Sequence, residues 1–221
     1  MAVMQKHEWN SLGSISHEPG FYAWYVKSYL AQKDIKDSIN AVKDSKRKGD
    51  IAAAAFVITQ YLEKRLFAPF ARDGYFVSLR GSLLPPYEGI VEHKQTLSQS
   101  LVDRLIKEPE RLESIGSLLE GAVPVFSSPL YIGMAKNLHK RVASHRRLII
   151  KLRDAQDSKN LTNPNTKSCN EDHSFAAAVV QRQLPPSHLV VYTQSLPQDG
   201  ESAIDLENLL NRINYPILGR N

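Results

Sequence analysis

A block of aromatic and basic residues near position 140 has the side-chain types needed to handle a phosphate. The stretch Ser127–Arg147 reads SSPLYIGMAKNLHKRVASHRR, and Tyr131-Ile132-Gly133 leads directly into it. Arg141 and His145 are four residues apart, so a helix would put them on one side, one turn apart. A guanidinium can hold a phosphate through two hydrogen bonds, and an imidazole beside it can donate or accept a proton. The alternative for His145 is a histidine at the edge of the core, satisfied by a backbone carbonyl.

A carboxylate in the last predicted helix is the second group that could do chemistry. In ESAIDLENLLNRINYP, Glu207 lies at the rim of the predicted apolar face. The residues of that face are Ala203, Leu206, Leu209, Leu210 and Ile213. A carboxylate in such a position is costly unless it is paired. Its partner could be Arg141, or it could be a hard divalent cation such as Mg²⁺.

Positive charge is concentrated behind Tyr131-Ile132-Gly133. The chain has a net charge of +5 and a pI of about 9.2. Between positions 134 and 168 there are 9 Lys and Arg against 2 Asp and Glu, a local surplus of +7 (9 − 2). This surplus favours an acidic partner such as nucleic acid, and the alternative is an ordinary solvated helix face.

Composition limits the other function classes. Cys169 is the single cysteine, which excludes an intrachain disulfide and a cysteine-based zinc site built within one chain. The first ten residues lack a signal core, and no apolar run reaches the length of a membrane span. We therefore expect a cytoplasmic protein with no membrane partner.

The hydrophobic pattern predicts an α+β protein. Strands are expected at 21–26, at 130–133 and from 188, after an irregular leader over 1–19. Helices are expected at 29–48, 51–67, 174–183 and 201–214, and from a cap at Asn137 to about 156; residues 97–119 are expected to form one or two helices, interrupted near Pro109. A polar loop is expected over 157–172, and short extended pieces are expected near 75–91.

Taken together, these pieces resemble the GIY-YIG nuclease superfamily. Gly20-Phe21-Tyr22 corresponds to the first signature of that family, with Phe21 at its usual Ile or Val position. Tyr131-Ile132-Gly133 matches the second signature letter for letter, and Asn137-Leu138, Arg141 and His145 follow at the family's spacing. Glu207, followed by Pro216, fits the last helix. The resemblance covers 19–26 and 129–221, and it implies a small mixed or antiparallel sheet flanked by helices.

The two signature tyrosines are 109 positions apart (131 − 22), whereas the family usually has them across a hairpin. We therefore expect a nuclease core formed by residues 1–27 and 124–221, with a helix-rich insertion at 28–123. The insertion carries 14 Lys and Arg against 13 Asp and Glu, with a local basic cluster at Lys43–Lys48. It could select the target, bind a protein partner or hold a second copy in a homodimer.

The resemblance also implies roles for individual residues. Tyr22, Tyr131, Arg141, His145 and Glu207 would be catalytic, and Gly133 would let the backbone pass close to the site. Tyr22 would orient or deprotonate the attacking water with a pKa lowered by the metal and Arg141. Glu207 would hold one divalent cation, Mg²⁺ or Mn²⁺.

Further residues would contact the substrate. Lys136, Lys140, Arg146 and Arg147 would bind DNA phosphates. The family often has an Asn soon after the proline, and Asn221 is the nearest candidate.

The resemblance implies a metal-dependent DNA endonuclease, of a restriction or phage-defence type. Two alternatives remain open at this point. One is a nuclease for single-stranded or branched DNA. The other is a nucleic-acid-binding protein on a degenerate nuclease fold, which the intact set of five catalytic candidates disfavours.

Overall fold

The computed structural model describes residues 4–28, 30–72, 74–93, 95–162, 174–196 and 200–218. It combines helices with antiparallel sheets, which confirms the expected mixed α+β class. The strands are β1 (Gln5–Glu8), β2 (Gly20–Val26), β3 (Tyr75–Gly81), β4 (Leu84–Val91), β5 (Tyr131–Ala135) and β6 (Leu189–Ser195). The α-helices are α1 (Gln32–Arg47), α2 (Ile51–Leu62), α3 (Gln99–Lys107), α4 (Arg111–Phe126), α5 (Leu138–Thr162), α6 (Phe175–Gln181) and α7 (Gly200–Asn214).

The chain divides into two compact units. Unit 1 comprises Met1–Lys27 with Gly121–Asn221, and unit 2 comprises Ser28–Glu120. The sequence pattern placed the boundaries after residues 27 and 123. The second boundary falls inside α4, because that helix continues to Phe126 instead of ending near 119 as predicted.

Unit 1 contains a four-stranded sheet in the order β1-β6-β2-β5, with each neighbouring pair antiparallel. The predicted leader over 1–19 is wrong in part, because Gln5–Glu8 pairs with β6 and a 3-10 turn follows at Trp9–Ser14. QKHE has almost no apolar alternation, so periodicity could not reveal it as a strand. β1 pairs only with β6 in this sheet, so it is an edge strand. Charged residues such as Lys6 and Glu8 are typical of edge strands.

The register of the sheet brings the signature residues side by side. Tyr22 on β2 lies directly opposite Gly133 on β5 and Thr193 on β6. Directly opposed residues in antiparallel strands point to the same face of the sheet. Helices α5 and α6 cover that face, and ring contacts from Tyr22 and Tyr131 reach both helices.

Helix α5 starts where its capping residue predicts. The side-chain Oδ1 of Asn137 accepts a hydrogen bond from the backbone N–H of Lys140 at 2.8 Å, as an N-cap does. The predicted end near 156 is wrong, because the helix continues to Thr162. DSKNLT (157–162) is polar but contains no Gly or Pro, so composition suggested a loop where nothing breaks the helix. The rest of the predicted loop, 163–172, lies outside the described residues.

Helix α7 ends before Tyr215, whose φ of 45° leaves the helical region, and Pro216 behind it is buried. The backbone N–H groups of Ile217 and Leu218 then donate to the carbonyls of Pro129 and Leu130 at 2.9 and 2.7 Å. These bonds fix the end of α7 to the residues that lead into β5. The predicted apolar face of α7 is only partly correct, because Leu209 and Ile213 are exposed.

Unit 2 has a helical core of its own, built from α1, α2, α3 and the start of α4. Helix α1 ends at Arg47, and Gly49 follows it with a φ of 75°. Asp50 caps α2 by accepting from the N–H of Ala53 at 2.8 Å. Strands β3 and β4 form a separate two-stranded sheet with exposed apolar side chains. No helix in the described part of the chain has the length and apolar character of a membrane span.

Candidate active site

Three of the predicted site residues meet at one buried hydroxyl. The Oη of Tyr22 lies 2.8 Å from Nε2 of His145, and Nε of Arg141 donates to the same Oη at 3.3 Å. Tyr22 is 0% exposed and His145 is 8% exposed, whereas Arg141 is exposed. The guanidinium therefore reaches from solvent to a buried tyrosine, and one side of it stays open to a ligand.

Burial decides how these groups are protonated. It raises the pKa of Tyr22, and the neighbouring Tyr131 raises it further, while Arg141 lowers it. Burial and then the charge of Arg141 lower the pKa of His145 to about 4. At neutral pH the imidazole is therefore neutral. The Tyr22 hydroxyl can donate to Nε2 while its oxygen accepts from Arg141.

Tyr131 is the more accessible of the two signature tyrosines. Its ring centroid is 6.1 Å from that of Tyr22 and 5.8 Å from that of His145, and its side chain is half-buried. The predicted lowering of the Tyr22 pKa is not produced by the protein's own groups, because burial outweighs Arg141. Full burial also denies Tyr22 direct contact with solvent, so the tyrosine positioned to meet a water is Tyr131.

Gly133 makes this cluster sterically possible. A Cβ at this position would lie 2.7 Å from Cε1 of Tyr131 and 2.8 Å from Oη of Tyr22. Real Cβ contacts are never that short, so any other residue would displace one of the two rings. Tyr22 on β2 therefore requires a glycine at position 133, its partner on β5.

Glu207 is half-buried on α7, which packs against β5 and β2. Burial raises the pKa of this carboxyl, while a hydrogen bond from the backbone amide of Met134 and the charge of Arg141 lower it. No side chain of the described residues forms an ion pair with Glu207. The carboxylate is therefore near Arg141 without being neutralised by it, and a cation would compensate its burial.

The carboxylate of Glu207 is a group that could hold a magnesium ion. Among the described residues, no group of three or more His, Cys, Asp or Glu side chains converges on one point. Mg²⁺ retains several waters and is commonly held through one or two carboxylates. The single carboxylate of Glu207 fits that mode.

An open cavity of about 470 Å³ lies along the start of α5. Its walls are the backbone of β5 and the exposed side of the helix: Met134, Ala135, Lys136, Asn137, Lys140, Arg141, Ser144 and Arg147. It includes three of the four predicted phosphate-binding residues. Arg146 is not among them, because its guanidinium lies over the ring of Trp9, 5.5 Å from the centroid.

Two polar residues of the cavity were missed from the sequence. Asn137 was assigned a capping role and a place in the family motif but no contact with the substrate, and Ser144 was assigned no role. The signal for Ser144 was present in the spacing, because positions 140, 144 and 147 recur every four and three residues. That spacing places them on one side of a helix.

Two further predictions have different outcomes. Asn221 lies outside the described residues. The basic cluster of unit 2 is engaged within that unit, since Lys43 pairs with Glu110 at 2.6 Å and Lys46 donates to the carbonyl of Lys107 at 3.1 Å. Arg47 pairs with Asp44 at 3.3 Å.

Comparisons of the chain with protein-family models, with curated proteins and with solved structures found no match.

We expect Gly133→Ala to destabilise the protein and disturb the site. The new methyl group collides with the rings of Tyr131 and Tyr22, and overpacking of this kind costs about 1–3 kcal/mol. Gly13→Ala is the matched control, because nothing lies within 4 Å of a Cβ built there. Urea denaturation measures both variants, and equal stabilities would contradict the role of Gly133.

We expect His145 to make the protein sensitive to acid. Its folded-state pKa of about 4 lies below the ordinary 6.5, so the unfolded chain binds its proton more readily. The stability it contributes is present at neutral pH and is lost as the pH falls from about 6.5 to about 4. The full effect of that difference is about 3 kcal/mol.

The measurement is the free energy of unfolding of the parent and His145→Gln between pH 4 and pH 7. The variant should lose less stability over this range than the parent. Some loss should remain, because burial also lowers the pKa of His7 and of His188. Identical pH dependence in the two proteins would show that His145 is not held neutral by the fold.

Proposed function

We propose that this protein is a metal-dependent DNA endonuclease of the GIY-YIG type that hydrolyses phosphodiester bonds, in a restriction or phage-defence role. One observation carries the proposal. A solvent-facing guanidinium, Arg141, is hydrogen bonded to a buried tyrosine that is itself bonded to a neutral histidine. Beside it lie a half-buried carboxylate, which has no ion-pair partner among the described residues, and a cavity lined with cations. If these residues served packing alone, the guanidinium of Arg141 would not have to be accessible from solvent.

The cavity supports a polyanionic substrate. Lys136, Lys140, Arg141 and Arg147 contribute four positive charges to its walls, and Glu207 lies near one end, at Met134. Lys140 and Arg147 are seven positions apart on α5 (147 − 140), which corresponds to roughly 10 Å along the helix, and Lys136 lies just before the helix begins. A track of this length accommodates consecutive phosphates of one strand. Arg141 is the cation closest to the tyrosines, so the scissile phosphate belongs there.

The proton chemistry must work against the pKa directions of the metal-free protein. In the reaction, the oxygen of a water forms a bond to phosphorus, the bond to the leaving oxygen breaks, and the water must lose a proton. The half-buried Tyr131 is placed to orient that water, while the Tyr22 hydroxyl connects the site to His145. The proton released by the water would pass through the tyrosine hydroxyls to neutral Nε2 of His145, and the leaving oxygen would take a proton from solvent. The raised pKa of Tyr22 and the lowered pKa of His145 oppose this transfer in the metal-free protein. Arg141 stabilises negative charge on both the tyrosine and the phosphate, which would offset that opposition.

Glu207 would hold the divalent cation, Mg²⁺ or Mn²⁺. When bound, the cation supplies Lewis-acid stabilisation of charge on the phosphate and on the leaving oxygen. The residues of the chain have separate tasks around it. Arg141 and the lysines bind and orient the phosphate, and the two tyrosines and His145 manage the proton.

We expect Glu207→Gln to lose metal-dependent cleavage by at least about 100-fold, because an amide binds Mg²⁺ far more weakly than a carboxylate. Asp205→Asn is the matched control: it removes the same charge from an exposed position on the same helix and should stay within about threefold of the parent. The assay uses supercoiled plasmid and single-stranded circles with Mg²⁺, Mn²⁺ or EDTA.

The products separate the alternatives. Discrete fragments from duplex DNA support a sequence-specific endonuclease, and preferential attack on single-stranded circles supports the structure-specific or single-strand alternative. Metal-independent DNA binding without cleavage of any substrate supports the non-catalytic protein. Cleavage that survives EDTA, or equal loss in both variants, would contradict the assignment of Glu207 to the metal.

We expect the α5 cavity to set the salt dependence of DNA binding. Each phosphate contact removed by Lys140→Gln or Arg147→Gln should reduce the slope of log affinity against log salt by about 1. Lys151→Gln is the control, because this lysine is exposed on the same helix outside the cavity. If all three variants change the slope equally, the cavity is an ordinary solvated face.

A further inference from the structure

Phe175 occupies the centre of the aromatic cluster beneath the candidate site. It is the first residue of α6 and is 4% exposed, and the hydroxyl of Ser174 caps the helix by accepting from the N–H of Ala177 at 3.2 Å. Its ring centroid lies 5.2 Å from that of Tyr131 and 5.6 Å from that of Trp24. These distances lie in the range of favourable ring–ring contacts.

The same ring stands against the imidazole of His145. The two centroids are 5.3 Å apart and the planes are perpendicular, at 89°. Tyr22 and Tyr131 contact the imidazole as well, with centroids at 5.7 and 5.8 Å. Three aromatic rings therefore surround His145. Phe175 is the one without a hydroxyl, so it adds contact without competing for Nε2.

We propose that Phe175 is a positioning residue of this site: its ring holds the imidazole of His145 with Nε2 on the Tyr22 hydroxyl and keeps water away from that imidazole. The catalytic part of this inference rests on the proposed nuclease function. Phe175 itself takes no part in the bond changes, since its contacts are to the side chains that orient the water and accept the proton.

Few charged groups lie near His145, so its protonation depends mainly on how the aromatic rings shield it from water. Tyr22 and Tyr131 face the imidazole from the sheet, and Arg141 lies one turn away on its own helix. The other elements packed against α5 are α6 and the 3-10 turn Trp9–Ser14, and neither contains an ionisable side chain. Loss of the Phe175 ring would therefore leave the neighbouring charges unchanged and admit water to the imidazole. A hydrated imidazole protonates more easily, and a protonated Nε2 cannot accept the tyrosine proton.

The test is an NMR titration of the histidine side chains of the metal-free, full-length chain. The chain has seven histidines, and the signal missing from His145→Gln identifies the one of interest. In Phe175→Leu, the pKa of His145 should rise by about one unit or more toward its ordinary value. Phe175→Met, which replaces the ring by a longer, unbranched side chain, should show a shift in the same direction.

Val179→Ala is the matched control for damage to α6. Val179 is one turn further along the helix and 0% exposed, and its side chain cannot form ring contacts. Its loss should weaken the packing of α6 while leaving the His145 titration unchanged. A similar shift in Val179→Ala and Phe175→Leu, or no shift in either Phe175 variant, would overturn the inference.

Cleavage kinetics give a second readout. Phe175→Leu should lower kcat on the order of tenfold with little change in KM, because the proton acceptor is misplaced while the phosphate contacts stay intact. The acidic limb of its pH–rate profile should move upward together with the titration. A parallel loss in kcat and KM with an unshifted profile would indicate a general structural defect instead.

The two hypotheses can fail separately. The titration needs neither metal nor DNA, so it supports or overturns the positioning of His145 even if the parent protein cleaves no substrate. Cleavage by the parent combined with an unshifted titration in the Phe175 variants would leave the nuclease proposal intact and remove only this inference.

Discussion

The hydroxyl of Tyr22 is the point on which the arrangement of unit 1 depends. It is fully buried, and it is shared between Nε2 of His145 and Nε of Arg141. A buried hydroxyl with neither partner would cost on the order of 1–3 kcal/mol, so sheet and helix must meet in a defined register. Gly133 provides the space on the sheet side, and the Asn137 cap fixes where the helix begins.

Burial sorts the ionisable groups of the candidate site into two kinds. Tyr22 and His145 lie inside and remain uncharged at neutral pH, which suits the Tyr22 hydroxyl to donate a hydrogen bond to Nε2 of His145. Arg141 and the lysines lie outside and remain charged, which suits them to holding an anion. Glu207 is half-buried, between these two groups of residues. Burial disfavours the anionic form of its carboxyl, whereas the charge of Arg141 favours that form. A bound cation would shift that balance toward the charged form.

Sequence reasoning succeeded where a local pattern determined the structure. The four-residue spacing of Arg141 and His145 predicted their common side of a helix, and the side chain of Asn137 predicted the cap. It failed where long-range pairing decided the outcome. Gln5–Glu8 forms a strand because its backbone pairs with β6, about 185 positions away in the sequence. No property of the residues QKHE predicts that pairing. Phe175 was missed for the same reason, since its neighbours in space come from three other segments of the chain.

The separation of β2 from its partners has a consequence for how the chain is made. β2 pairs with β5 and β6, which are completed only at Ala135 and Ser195. At ribosomal speeds of roughly 5–20 residues per second, the strand GFYAWYV waits on the order of ten seconds for its first partner. During that time it is an aromatic, uncharged segment exposed on a nascent chain, and the helices of unit 2 emerge while it waits. During its synthesis the chain is therefore exposed to misassociation for the time between the completion of β2 and that of β5. A tight hairpin joining these two strands would shorten that time.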